Sequence, residues 1–338
     1  MLAARGRTHM PWVPTPCSSP WPGHAPSAAA AAASARKAEI AQHLAVLQED
    51  ASSTQQMLAL GGLRLSLAAD ADEPMEDILE LDGLASLRNA LLSDSSAVQH
   101  DAAWILGNMA ARDFTKALVD AGIHDAALSV LQSPSRPDVC EHCLWLLGNI
   151  AADGDVELRN GLLRSDAIGI VGTLFNQLPA LHWDFRQRKE VVCTMAWMLQ
   201  QLCAGDPSPE YDKVLPALDF FTLALQHCED VDMVLESCKG IALILEAAPT
   251  SEARSRALQQ LLPVETGAKM DAKAMTRIVD VLDKLLPLLE GSALRLQVQQ
   301  LKETCVGSKD ILHSMGEFRI SAISGGTPLQ PAAYQFGA

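Results

Sequence analysis

Between residues 73 and 246 the apolar positions recur three and four residues apart, the spacing of one helix face, and polar or breaker residues interrupt them at short intervals. Glu73-Pro74-Met75 opens one such segment, which stops at Asp82-Gly83. A second runs from Leu84 to Leu92 and ends in Ser93-Asp94-Ser95-Ser96. Proline just inside a helix start and glycine just past its stop are the expected punctuation, since proline lacks an N–H that the first turn does not use and glycine accepts the turn out of the helix. The next stretch has the same grammar: Phe114 to Val119, Asp120-Ala121-Gly122, Ile123 to Leu131, Ser133-Pro134, then Pro137 to Ile150. The pattern predicts helices in threes, two short and one longer.

The chain also matches itself. Trp104-Ile105-Leu106-Gly107-Asn108 returns 41 residues later as Trp145-Leu146-Leu147-Gly148-Asn149, and a weaker copy, Trp197-Met198-Leu199-Gln200-Gln201, follows after 52. A period near 41 is that of armadillo or HEAT units, and three helices per unit selects armadillo. The surplus in the longer interval is expected in residues 179–188. A single unit cannot bury its apolar face, so units stack into a right-handed superhelix whose third helices line a concave surface. The expected architecture is therefore all-α: an armadillo superhelix of about five units over residues 39–246, best defined over 73–246. Residues 1–38 read as a disordered Ala/Pro-rich leader, 247–306 as a degenerate helical C-terminal cap and 307–338 as a disordered tail. The leader has no Asp or Glu and four basic residues, a composition shared with transit peptides, but it lacks an amphipathic Arg-bearing helix.

Composition narrows the function classes. The 338 residues carry 41 Asp and Glu against 26 Lys and Arg, a formal charge of −15, which repels polyanions and favours basic partners, so nucleic acid is not an expected ligand. Aromatics are 4% against 49% hydrophobic residues, so the core is built from Leu, Ala, Val, Ile and Met, which argues against an all-β fold. No apolar run approaches the roughly 18 residues that span a membrane. Cys143, Cys193 and Cys238 fall on apolar helix positions like small core residues, which fits a reducing compartment. Cys140-Glu141-His142-Cys143 has no second ligand pair at zinc spacing, so no metal is expected, and His142 reads as a solvated or groove-edge residue. Arg186-Gln187-Arg188-Lys189 reads as a solvated helix start. With no phosphate-binding loop, HExxH or GxSxG, neither cofactor nor enzyme activity is expected.

The candidate chemistry lies on the third helices. Trp and Asn four positions apart share one helix face. Stacked indoles that face the groove form slots for the aliphatic stem of Lys or Arg, with a cation–π contribution, and each amide offers a donor and an acceptor to an extended main chain. Asp153, one turn beyond Asn149, is placed to pair with a lysine ammonium, and Glu236 on a later third helix is a second carboxylate. A lone helical Trp is usually core; three at one repeat position, two with Asn one turn on, shift the balance to a ligand surface.

These residues resemble the armadillo core of importin-α. The likeness runs over residues 73–245 and is carried by the entry segment at Glu73-Pro74-Met75, the two Trp-x-Leu-Gly-Asn helices, Gly148-Asn149-Ile150-Ala151-Ala152-Asp153-Gly154, and Leu202-Cys203 followed by Pro207-Ser208-Pro209. The resemblance implies an adaptor binding lysine-rich nuclear localisation signals for import, working in cytoplasm and nucleus. It implies signal-binding roles for Trp104, Trp145, Trp197, Asn108, Asn149, Gln201 (at an asparagine position), Thr115, Asp153 as the receiver of the key lysine, and Glu236 in place of an aspartate. Lys239 and Leu243 stand where the family has aromatic residues. Importin-β is a further implied partner, although its basic binding segment is not recognisable in residues 1–38. The alternative is a general armadillo interaction scaffold without import activity.

Overall fold

A computed structural model describes residues 28–48, 51–67, 72–227 and 231–250, with a few single positions further on. The expected cap at 247–306 and tail at 307–338 lie almost wholly outside the described residues, as does the leader up to residue 27. Helix α1 spans Ala28–Gln48 and α2 Ser53–Leu67. Three-helix units follow: α3 Glu73–Glu80, α4 Leu84–Leu91 and α5 Ser96–Ala110; α6 Thr115–Asp120, α7 Ile123–Gln132 and α8 Pro137–Ala151; α9 Val156–Arg164, α10 Ala167–Gln177 and α11 Phe185–Cys203; α12 Tyr211–Val214, α13 Ala217–His227 and α14 Val231–Ala247. No strand occurs among the described residues.

Helix α1 begins inside the stretch read as leader, because alanine is the best helix former and the run from Ala28 to Ala33 continues into an amphipathic segment with Ile40, Leu44 and Leu47 buried. Arg36 and Lys37, counted with the leader, instead pair with Asp77 and Glu80 of α3. The surplus before Trp197 divides between a single 3-10 turn at Leu178–Ala180, the loop after it, and an early start to α11. That start is set by Asp184 and Gln187, which cap each other's backbone N–H groups at 2.8 and 3.0 Å.

The third helices form one row, α2, α5, α8, α11, α14, each packed on the next, and α4, α7, α10 and α13 form a second row behind it. The core lies between the rows. In α5, α8 and α11 a pair of apolar residues seven apart is buried at one register: Val98 and Ile105, Val139 and Leu146, Val191 and Met198. Burying one such side chain contributes about 1.5–3 kcal/mol. Leu58 and Leu65 hold the same register in α2 and are 71% and 79% exposed, because no described helix precedes α2 in the row.

In the first three units the turn between the first and second helix contains one left-handed residue. Gly122 supplies it at φ 69°, whereas Asp82 and Asp166 supply it at 52° and 57°. Gly83, the expected helix stop, is needed for space instead: a Cβ there would come within 2.8 Å of Leu44. Arg159 of α9, 2% exposed, ties the third unit together. Its guanidinium donates to the carbonyls of Ala204 at 2.6 Å and Pro207 at 3.1 Å, in the loop after α11.

Candidate functional site

The three tryptophans sit at one register on adjacent helices of the inner row, half-buried, and glycine decides how two of them lie. A Cβ on Gly107 would stand 2.7 Å from Cε3 of Trp145, and one on Gly148 would stand 2.1 Å from Cζ3 of Trp197. Each of these indoles therefore rests in a notch cut into the preceding helix. The glycine of the Trp-x-x-Gly-Asn pattern is a seat for the next repeat's ring.

The three amides differ. Asn108 Nδ2 donates back to the Trp104 carbonyl at 2.8 Å, which leaves its oxygen as acceptor. Gln201 Nε2 donates to Gln200 Oε1 at 2.8 Å. Asn149 Nδ2 is buried and has no acceptor among the described residues. A buried unpaired donor costs about 1–3 kcal/mol, so it is a place where a ligand carbonyl would bring a gain.

Asp153 follows the end of α8 and is held on both oxygens. The Thr115 hydroxyl, on the first turn of α6 and 4% exposed, donates to Oδ2, and the Asp155 N–H donates to Oδ1 at 2.8 Å. These two expected site residues are thus brought together from the two ends of one unit, the start of α6 and the loop after α8. Glu236 is not left open: Lys239 Nζ, one turn on along α14, donates to it at 2.7 Å. That internal ion pair occupies the carboxylate expected to meet a ligand, and the pair lies beyond the last indole.

Several neighbours were not singled out in the sequence. Arg64 of α2 places its guanidinium 4.7 Å from the centre of the Trp104 ring and pairs with Asp101. It stands 40 residues before Trp104, so the 41-residue period carried one step back lands beside it, at Leu63. His100 of α5 faces His142 of α8 with ring centres 5.1 Å apart, and contacts Asp101 at 3.0 Å. His142 is half-buried rather than solvated. Burial, then the neighbouring His100, brings its pKa down to about 4, so it is neutral near pH 7. Burial would raise the Asp138 carboxyl, but the hydrogen bond and charge of Arg136, with His100, outweigh it and hold the group below the usual range. Glu141, on the same face as Trp145 and Asn149, is pushed up by burial and then by Glu190 and Asp138. The open face thus carries indoles and amides, bordered by carboxylates. The Cys140 and Cys143 thiols point into the core, where burial raises both, Cys143 to about 12.

With this geometry in view, the comparisons with known proteins are consistent. Importin subunit alpha-1b of Oryza sativa subsp. japonica is 29% identical over 202 residues, 59% of this chain and 35% of its own length. Probable importin subunit alpha-A of Dictyostelium discoideum is 27% identical over 172 residues, 46% of this chain and 30% of its own. The chain is a divergent, importin-α-like armadillo protein. It spans about a third of the length of these curated relatives. No family model matches it. Among solved structures, computationally designed armadillo repeat proteins for modular peptide recognition align with a TM-score of 0.56 at 18% identity, over 79% of this chain and 98% of theirs. A designed armadillo repeat protein in complex with the peptide (KR)4 aligns at 0.54 and 19%, over 73% of this chain and 99% of its own. These structures establish the fold.

Proposed function

We propose that the chain binds a lysine-rich segment in extended form along the open face of its inner helices, and so acts as an importin-α-like adaptor for basic nuclear localisation signals, moving between cytoplasm and nucleus. The observation that supports this best is the association of three indoles at one register with Asn149, whose buried donor has no internal acceptor among the described residues, and with Asp153, braced by Thr115. An indole edge and a carboxylate recognise the stem and the head of lysine separately, while the amide holds the main chain. The formal charge of −15 steers a cation toward the groove before contact. Importin-β is the proposed carrier, recruited by a segment that the sequence does not reveal.

Fluorescence anisotropy with a labelled lysine-rich signal peptide tests the reading. Binding is expected to weaken with salt, and Asp153→Lys is expected to abolish it while circular dichroism stays unchanged. Unaltered binding in that variant rejects the site. The scaffold reading, an armadillo interaction module without import activity, draws its support from the Lys239–Glu236 pair, which takes a carboxylate out of the groove. A pull-down of importin-β together with a signal-bearing cargo separates the two: cargo retained without importin-β favours the scaffold.

A further inference from the structure

The inner row has five positions at the tryptophan register, one on each helix: Arg64 on α2, Trp104 on α5, Trp145 on α8, Trp197 on α11 and Lys239 on α14. The three indoles are bounded on each side by a cation belonging to the protein. Neither cation is idle. Arg64 lies over the Trp104 ring at 4.7 Å and pairs with Asp101, and Lys239 donates to Glu236 at 2.7 Å. Each outer position therefore already contains the arrangement expected of a bound basic ligand: a cation with a carboxylate, and at Arg64 an aromatic face as well.

Shape changes at the same points as charge. Gly107 and Gly148 provide the notches for Trp145 and Trp197. The residue in that register is Leu67 on α2, before Trp104, and Gln200 on α11, after Trp197, so the row of notches ends on both sides. Two slots remain between indoles, Trp104 to Trp145 and Trp145 to Trp197. Packed helices lie about 8–10 Å apart, which is two to three residues of an extended chain.

We propose that this groove takes a short basic segment with two cationic side chains two or three residues apart, and that Arg64 and Lys239 fill the outer subsites from within, so that basic residues flanking the segment add no affinity. The inference rests on the proposed reading of the groove as a basic-peptide site and adds its length and register. A flanking lysine would have to displace an internal cation from its own carboxylate before making an equivalent contact, so the exchange gains nothing.

The test uses the full chain and two labelled peptides: four lysines in a Gly-Ser frame, and the same peptide with two further lysines on each side. Anisotropy at about 0.15 M salt limits the general attraction of the acidic surface. The wild type is expected to bind both peptides within about threefold. Arg64→Ser and Lys239→Ser, each freeing a subsite, are expected to favour the longer peptide by about tenfold, the size of one partly buried cation–π contact at the first and of one charge-assisted hydrogen bond to Glu236 at the second. Lys213→Ser removes the same charge from an exposed position on α12 and is expected to leave the ratio unchanged. A wild type that already prefers the longer peptide tenfold, with the same ratio in both variants, overturns the proposal and leaves the adaptor reading standing. Failure of the wild type to bind either peptide rejects both. The wild-type ratio is a test in itself, so the proposal stays open to refutation even where a variant folds poorly.

Discussion

Replacing Gly148 by alanine sets two known effects against each other. In a helix interior alanine is better than glycine by about 1 kcal/mol, so the change alone should stabilise α8. Here, however, the new Cβ would stand 2.1 Å from Cζ3, 2.7 Å from Cε3 and 2.8 Å from Cη2 of Trp197. Ordinary carbon contacts lie at about 3.5–4.0 Å, so the indole has to withdraw by more than about 1 Å, and overpacking of this kind costs about 1–3 kcal/mol. The net expectation runs from neutral to about 2 kcal/mol destabilising. The matched control is Gly172→Ala on α10, where a Cβ meets nothing within 4 Å and the helix gain of about 1 kcal/mol should appear in full. Urea denaturation of both variants gives the two stabilities, and tryptophan emission reports the displaced ring. Peptide anisotropy should show Gly148→Ala binding at least tenfold more weakly, since the slot between Trp145 and Trp197 loses one wall. Equal stabilisation in both variants, with unchanged emission, would refute the notch.

Arg159→Leu should destabilise the chain by about 2–4 kcal/mol, because the Ala204 and Pro207 carbonyls lose a buried charged donor; urea midpoints measure it, and a loss under about 1 kcal/mol would show that the loop finds other donors. His142 titrates near pH 4 in the fold and 6.5 when unfolded, so the unfolded chain binds the extra proton and stability falls as pH drops through that window. The loss should reach about 1–2 kcal/mol, discounted because the ring is partly exposed among His100, Asp101, Asp138 and Arg64, and His142→Gln should remove this part of the slope in thermal melts from pH 7 to 5. Glu141, whose pKa is raised by burial and like charges, gives up its proton less readily in the fold than in the unfolded chain. A cation bound beside it pulls the pKa back down, so peptide binding should release protons on the acid side of neutrality, and calorimetry in buffers of differing ionisation enthalpy should show that release vanish in Glu141→Gln.

Much of this was legible because repetition makes a weak local signal strong. One tryptophan in a helix says little, whereas Trp104, Trp145 and Trp197 at repeating offsets identify a row of helices and one register on it. The resemblance implied that Thr115 and Asp153 share a pocket; the hydrogen bond between them, a buried hydroxyl at the start of α6 reaching the loop after α8, is visible only in the fold. What escaped the reading were contacts between residues that share no pattern. Nothing local to Gly107 says that its missing side chain accommodates a ring 38 residues on. Arg64 holds the tryptophan position without being a tryptophan, so a repeat of one residue type does not mark it, and an alanine run reads equally as low complexity and as a strong helix former, which hides the Ala28 start of α1. Glu236 looked available because sequence spacing identifies a carboxylate on a face without revealing that Lys239, three residues on, holds it.

These omissions have one cause, and it bears on how the groove is limited. A ring at the tryptophan register and a glycine three residues after its counterpart on the previous helix form a single packing unit, so neither end of the ladder can change alone. An indole at position 239 would meet Gln200 instead of a notch, and a glycine at position 67 would remove a buried leucine from the core of α2. Losing that leucine would cost about 2–5 kcal/mol of core stability. The limits of the binding surface are therefore set by inter-repeat packing as well as by the residues a ligand touches. Lengthening the groove by one slot requires Gln200→Gly and Lys239→Trp together: the tryptophan alone would be forced out of register, and the glycine alone would leave a cavity with no ring to fill it.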